Sequence, residues 1–266
     1  LVFSKGNKTV KMVDATSFCD RVGENRIKVD EIVEAINSNY SEYVKVIDNE
    51  TIINNSYKLN SSTYFMEKIV VPHAKQLKTV AETFRGVQYT SRQYPELNPG
   101  EGKYDILKIS DINDDFLECT DLASIDMPEK KAERYLLKDD DILIVSKGYV
   151  LKIAYVKDLG GKQVIPTGNL SVIRVTDKKV SPLYLFIFLM SSKGQALLDQ
   201  CLVGSTIKSL SKKELDEMYI SAIDLETQKK IENKYLLLQD RIEDLKSELN
   251  ELKEKQNSIF EREVES

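Results

Sequence analysis

The side chains best suited to chemistry fall in short loops that set a glycine beside cationic, amide, hydroxyl or aromatic groups. Arg85-Gly86-Val87-Gln88-Tyr89, with Arg92 close behind, offers a guanidinium, an amide and a phenol around a flexible turn. Lys147-Gly148-Tyr149, with Lys152, repeats the theme, and Pro166-Thr167-Gly168-Asn169 presents a second amide. Gly204-Ser205-Thr206-Ile207-Lys208, followed by Lys212 and Lys213, combines hydroxyls, backbone N–H groups and amines. Arginine can pair with guanine, and Gln or Asn with adenine, through two hydrogen bonds in the major groove. Amines, hydroxyls and backbone N–H groups suit phosphates, which fix register without reading sequence. Each residue also has a plainer reading: Tyr89 and Tyr149 as packing groups, Gly86 as a turn, the lysines as a solvated surface.

Catalytic sets are missing. His73 is the only histidine and follows Pro72 in an apparent linker, so it makes a poor base for a Ser-His-Asp site. There is no Gly-x-Gly-x-x-Gly and no phosphate loop ending in Gly-Lys-Ser/Thr. Asp139-Asp140-Asp141 directly precedes a strand-like run and reads as a solvated turn before it reads as a metal site. Cys19, Cys119 and Cys201 lie far apart with no Cys-x-x-Cys, which fits a reducing compartment and no structural zinc. The expectation is no catalytic residue and no metal in this chain, and the enzyme class is left uncertain.

The net charge of −5 opposes nucleic acid, but its distribution does not. Residues 146–179 carry seven basic side chains (Lys147, Lys152, Lys157, Lys162, Arg174, Lys178, Lys179) against Asp158 and Asp177. A polarised molecule of this kind can bind phosphates despite an acidic sum.

These loops need elements to position them. Leu1 to Phe3 and Val10 to Val13 read as a hairpin, with Asp30 capping a helix from Glu31 to Asn37 and Asn54 to Ser62 as loop. Tyr104–Ile109, Asp141–Ser146, Val150–Val156 and Leu170–Val175 are strand-like, with Gly, Pro, Asn and Asp clusters between them. Pro182 starts a helix to Met190, a second spans Lys193 to Cys201, and Ser211 with Glu214 forms a capping box. From 225 to 262 a single long helix places Ile231, Tyr235, Leu238, Ile242, Leu245, Leu249, Leu252 and Ile259 on one narrow seam, with Gln256 at the skipped site. A seam that narrow calls for another helix, and no second heptad segment occurs in this chain. No apolar run reaches the length of a membrane span, and no secretory leader is recognisable, so the expectation is a cytoplasmic protein without membrane contact.

In this order the pieces resemble a DNA specificity domain of type I restriction-modification systems. Leu77-Lys-Thr-Val-Ala-Glu-Thr-Phe-Arg-Gly resembles its opening helix and turn, and Tyr104-Asp-Ile-Leu-Lys-Ile-Ser-Asp-Ile-Asn its first strand. Leu137-Lys-Asp-Asp-Asp-Ile-Leu-Ile-Val-Ser-Lys-Gly resembles a later strand, and Pro166 to Asn169 a polar turn. Pro182 to Met190 with Gly204-Ser-Thr-Ile-Lys-Ser-Leu resembles its helix and loop. Asp224-Leu-Glu-Thr-Gln-Lys-Lys-Ile resembles the start of its long helix, with Asp224 in place of the usual proline and Thr227 in place of the usual second acid. Residues 1–70, through Leu1 to Lys8, Val13 to Thr16 and Glu50 to Asn60, resemble the tail of the adenine methyltransferase subunit of the same systems. That subunit's Asn-Pro-Pro-aromatic motif and its glycine-rich motif are absent; Asn98-Pro99-Gly100 is a turn.

The resemblance implies an α+β fold. Residues 1–75 would form a methyltransferase-tail-like segment and 76–223 a mostly β target-recognition domain with peripheral helices. Residues 224–266 would form a long coiled-coil helix. It implies sequence-specific recognition of double-stranded DNA for an N6-adenine methyltransferase, with the catalytic part as partner and a restriction subunit as a further candidate partner. S-adenosylmethionine would belong to the catalytic part and not to this chain. One recognition domain and one spacer helix imply a homodimer, whose two-fold symmetry would give a palindromic, split target. The chain would be the C-terminal piece of a methyltransferase–specificity fusion. The alternative is a scaffold that joins subunits through its coiled coil and does not touch DNA.

Overall fold

The computed structural model describes residues 6–14, 18–20, 26–37, 43–55, 57, 59, 62–65, 69–88, 102–113, 115–117, 119–145, 151–203 and 209–259. The chain divides into two compact units, Leu1–Ile69 and Val70–Ser266.

In the first unit, β1 (Thr9–Val13) runs antiparallel to a strand some thirty residues later, β4 (Val44–Asp48). Its expected partner, Leu1 to Phe3, lies outside the described residues. Between them come the paired β2 (Cys19–Asp20) and β3 (Arg26–Ile27), then α1 (Val29–Asn37). The helix starts one residue before Asp30, so Asp30 stands in its first turn and is not its cap. There its carboxylate still favours the helix N-terminus. Asp48 caps α2 (Asn49–Asn54) by accepting from Thr51 N at 2.7 Å, and α3 (Ser62–Phe65) follows. Two small cores hold this unit, Met12–Ile52–Tyr64 and Phe18–Ala35–Val44.

The second unit opens with β5 (Ala74–Gln76), a 3-10 turn over Leu77–Thr79, and β6 (Ala81–Arg85). The expected opening helix is therefore one tight turn followed by a strand. Ala81 and Thr83 are buried and Glu82 is exposed, so the start of this segment follows the period of two of a strand. Then come β7 (Tyr104–Leu107), β8 (Ala123–Ile125), α4 (Glu129–Ala132), β9 (Ile142–Val145), β10 (Ile153–Tyr155), β11 (Val164–Pro166) and β12 (Leu170–Val175). Helices α5 (Pro182–Met190) and α6 (Ser192–Cys201) follow, then β13 (Leu202–Val203), β14 (Ser209–Leu210), α7 (Lys212–Glu217), β15 (Tyr219–Ser221) and α8 (Leu225–Asn257).

An antiparallel sheet in the order β10-β9-β12-β6 packs against a smaller sheet in the order β11-β7-β8, where β11 and β7 are parallel. Leu107, Leu143, Val145, Ala154, Val164, Leu170 and Val172 fill the space between the two sheets. Tyr104, Ile106, Ile125 and Ile165 face the other way, onto Ala132 of α4. All four residues of β9 are buried, because the far face of its sheet is also covered. Helix α5 is apolar all round, and it packs on β10, α6 and α8; a helix without a polar face belongs inside.

The aspartate run is a solvated turn only in part: Asp139 and Asp140 are exposed in a turn, but all three carboxylates are bonded. Asp141 is buried and takes two hydrogen bonds from Arg174, at 2.6 and 2.8 Å. Asp140, at φ +70°, accepts from Tyr155 Oη at 2.5 Å, and Asp139 accepts from Leu159 N at 2.9 Å. Each carboxylate pins a different strand or turn. Among the described residues no group of His, Cys, Asp and Glu converges as a metal site, and no described helix is long and apolar enough to cross a membrane.

Candidate nucleic-acid interface

Strand register brings together the strand ends that flank the expected reading loops. β12 begins with Leu170 opposite Val145, the last residue of β9, and β10 begins beside Ile144. β6 ends with Arg85 opposite Ser171. The strand ends that flank residues 86–88, 146–152 and 166–169 thus share one end of the four-stranded sheet, although the loops are far apart in sequence.

Two of these segments are stitched by backbone bonds: Gly86 N to Leu170 O (3.0 Å), Val87 N to Pro166 O (2.8 Å) and Gly168 N to Val87 O (2.7 Å). Gly86 is required there by close approach, since a Cβ would stand 2.2 Å from Pro166 O and 2.3 Å from Thr167 O. Gln88 lies across Gly168, its Cγ 3.1 Å from where a Cβ would be. Gln88 and Asn169 are both exposed, so the stitched turns carry the two amides at one place.

The cationic candidates are held more tightly than the sequence indicates. Arg85 is half-buried and its Nη2 donates to Leu210 O at 2.7 Å, so it braces β14 against the sheet. Lys212 Nζ is 2.6 Å from Asp216 Oδ2 and 3.0 Å from Thr83 Oγ1, and Thr83 in turn donates to Asp216. Lys213 is exposed on the same helix, which Ser211 caps by accepting from Glu214 N. Lys152 is exposed, with Nζ 3.1 Å from Ile112 O. Tyr89, Arg92, Lys147, Tyr149, Ser205, Thr206 and Lys208 lie outside the described residues.

The basic stretch 146–179 is not one patch. Lys178 and Lys179 follow the far end of β12, and Lys157 follows the far end of β10 with its amine 5.7 Å from the centre of the Phe116 ring. Arg174 is bound to Asp141 and Leu136 O, and Lys162 donates to Cys119 O. A charge surplus in sequence is split between two ends because the strands reverse direction. Of the described basic residues in this stretch, Lys152 stays beside the sheet end that carries Gln88.

Helix α8 has two parts. Asp224 caps it, accepting from Thr227 N at 2.9 Å while Thr227 Oγ1 donates back at 2.8 Å, so the two departures from the family pattern form one capping pair. Gln228 is fully buried; it accepts from Ser181 N at 2.8 Å and donates to Lys179 O and Ile223 O at 2.8 and 2.7 Å. Glu232 accepts from Tyr184 N at 3.1 Å. Tyr235 packs edge-on against Phe116 and Phe186 and donates to Asp115 Oδ2 at 3.2 Å, with Gln239 bonded to its oxygen at 2.6 Å. Burial and the Asp115 carboxylate push the Tyr235 phenol up to about 12. Burial and Asp140 raise Tyr155 further. Tyr235, placed on the inter-helix seam from sequence, therefore packs on its own domain, and Ile231 is half-buried. Leu238, Ile242, Leu245, Leu249, Leu252 and Ile259 are exposed, from 44% to 65%.

The type I restriction modification DNA specificity domain matches residues 74–256. The chain belongs to that family. No curated protein matches. Among solved structures, a chain of a type I restriction-modification system, from work on its assembly and conformational transition, is 14% identical over 88% of this chain and 62% of that one, with a TM-score of 0.50. The S subunit from M. genitalium is 16% identical over 78% and 48%, TM-score 0.47. The HsdS subunit from Thermoanaerobacter tengcongensis is 17% identical over 67% and 40%, TM-score 0.44. The chain spans about half the length of the structures it matches.

For this specificity domain, sequence reasoning missed the contacts that seat α8: Gln228, Glu232 and Gln239, with Asp115, Phe116 and Phe186. A signal was available in the 4, 3, 4 spacing of Gln228, Glu232, Tyr235 and Gln239, which puts them on one helix face.

Proposed function

We propose that this chain selects the DNA sequence at which a type I-like N6-adenine methyltransferase acts. It binds the target duplex with the loop end of the four-stranded sheet and holds the catalytic part in place. The observation that carries this reading is the convergence of residues 86–88, 166–169 and the strand ends around 146–152 at one place. Gln88 and Asn169 contact base edges together with residues of the neighbouring loops, among them Arg92, Lys147 and Tyr149. Lys213, with Ser205, Thr206 and Lys208, holds phosphates. Arg85 and Lys212 support the site from beneath. S-adenosylmethionine belongs to the catalytic partner, for which residues 1–75 form the adjoining tail. A second copy of the chain pairs through the exposed apolar stretch of α8, so that two recognition domains read a split, palindromic target.

Single-molecule methylation sequencing tests this in cells carrying the locus that encodes this chain with its methyltransferase. The double variant Lys147→Glu, Lys152→Glu should lose methylation of the parent's motif while the subunits still assemble. A coiled-coil scaffold that does not touch DNA would leave the motif and its methylation unchanged.

A further inference from the structure

We infer that the joint at the root of α8 sets the separation at which the two half-targets are read, with Gln228, Glu232, Tyr235 and Gln239 as its positioning residues. The inference rests on the dimeric reading above and adds to it that helix direction, and not helix length alone, fixes the spacing.

The joint grips at two points. At the first, α8 caps another helix: Ser181 and Tyr184 sit in the first turn of α5, and the Ser181 side chain makes no cap bond of its own. Gln228 and Glu232 take those two N–H groups instead. An acidic side chain is also favoured at that helix end. At the second point, Tyr235 stands against Phe116 and Phe186 and is tied to Asp115 together with Gln239. From Gln228 to Gln239 the helix rises about 16 Å. One contact would leave a rod free to swing, whereas two at that separation hold its direction.

Residues 240–257 are all exposed and extend about 27 Å further. A swing of about 10° at the root moves the far end by roughly 5 Å, more than the ~3.4 Å rise of one base pair. The second grip also touches the reading end through a single strand. Tyr155 of β10 exchanges backbone bonds with Asp115 and Leu117 at 2.8 and 2.9 Å, and β10 starts directly after residues 146–152. Loop and helix are therefore held to the same three-residue strand.

The test is methylated-motif sequencing with the full chain and its methyltransferase, comparing the parent with Gln239→Ala, Tyr235→Phe and Glu232→Leu. The expected result is that the bases of each half-target stay the same. The single spacer length of the parent spreads to neighbouring lengths. Glu232→Gln keeps an acceptor for Tyr184 N and should restore the parent spacing. Thermal melting of each variant identifies any loss of fold. Gln239→Ala, at a half-buried surface site, is the variant expected to melt like the parent. Folded variants that keep the parent's single spacer length would overturn the inference and leave the recognition reading standing. A parent that methylates an undivided motif would overturn the dimeric reading, and this inference with it.

Discussion

Gln228 illustrates what one buried amide can do. It has no access to solvent, accepts one backbone N–H and donates to two carbonyls from different segments. A side chain with both a donor and an acceptor end is needed, because the groups to be satisfied are of both kinds. Replacing it with leucine removes a partner from the Ser181 N–H and from the Lys179 and Ile223 carbonyls, on the side where they meet the buried Gln228. Each orphaned group costs roughly 1–3 kcal/mol. Gln228→Leu should therefore lose about 3 kcal/mol or more of stability, read as a lower midpoint in urea unfolding. An unchanged midpoint would mean that the α5–α8 junction is not held this way. Arg85 makes the opposite point. Its chemistry suits guanine, yet its guanidinium is bonded to Leu210 O, so the residue type alone does not reveal whether an arginine reads DNA or braces a strand.

At the scale of elements, register and exposure decide roles. The segment after Leu77 contains residues acceptable to a helix, but its alternating start places it in the sheet as β6, and only that placement carries Gly86 to the turn at 166–168. Helix α8 reads as one continuous seam but works as two surfaces. Its first four turns use polar and aromatic groups against the domain, while Leu238 onward exposes leucines and isoleucines at heptad spacing. Exposed apolar residues in such a row are the mark of a helix that lacks its partner. Leu245→Lys should reduce self-association by several kcal/mol, because a seam position would bury an unpaired charge. Sedimentation equilibrium reads this directly, and equal dimer fractions in variant and parent would place the association surface elsewhere.

Across the whole molecule, the two units have separate cores. Met12, Ile52, Tyr64, Phe18, Ala35 and Val44 serve the first, and the two sheets with α4 and α5 serve the second. Residues 70–266 expressed alone should fold with one cooperative transition and native-like far-UV circular dichroism. A broad, non-cooperative melt would show that the first unit is needed to complete the fold. The family match, from residue 74, begins close to the same boundary.

By itself the sequence determined the features that local chemistry controls. Pro182 starts α5, Ser211 caps α7, Leu170–Val175 is a strand, and a long helix runs from residue 225, because these depend on dihedral preference, capping groups and hydrophobic period within a few residues. The glycine-bearing turns at 86 and 168 were legible for the same reason. Only the tertiary structure decided that these turns meet at one sheet end, that the lysines of 146–179 do not, and that Tyr235 belongs to its own domain. Each of those outcomes depends on which strand neighbours which and in what direction. That choice is made by packing between residues far apart in the chain, where burial outweighs any local preference.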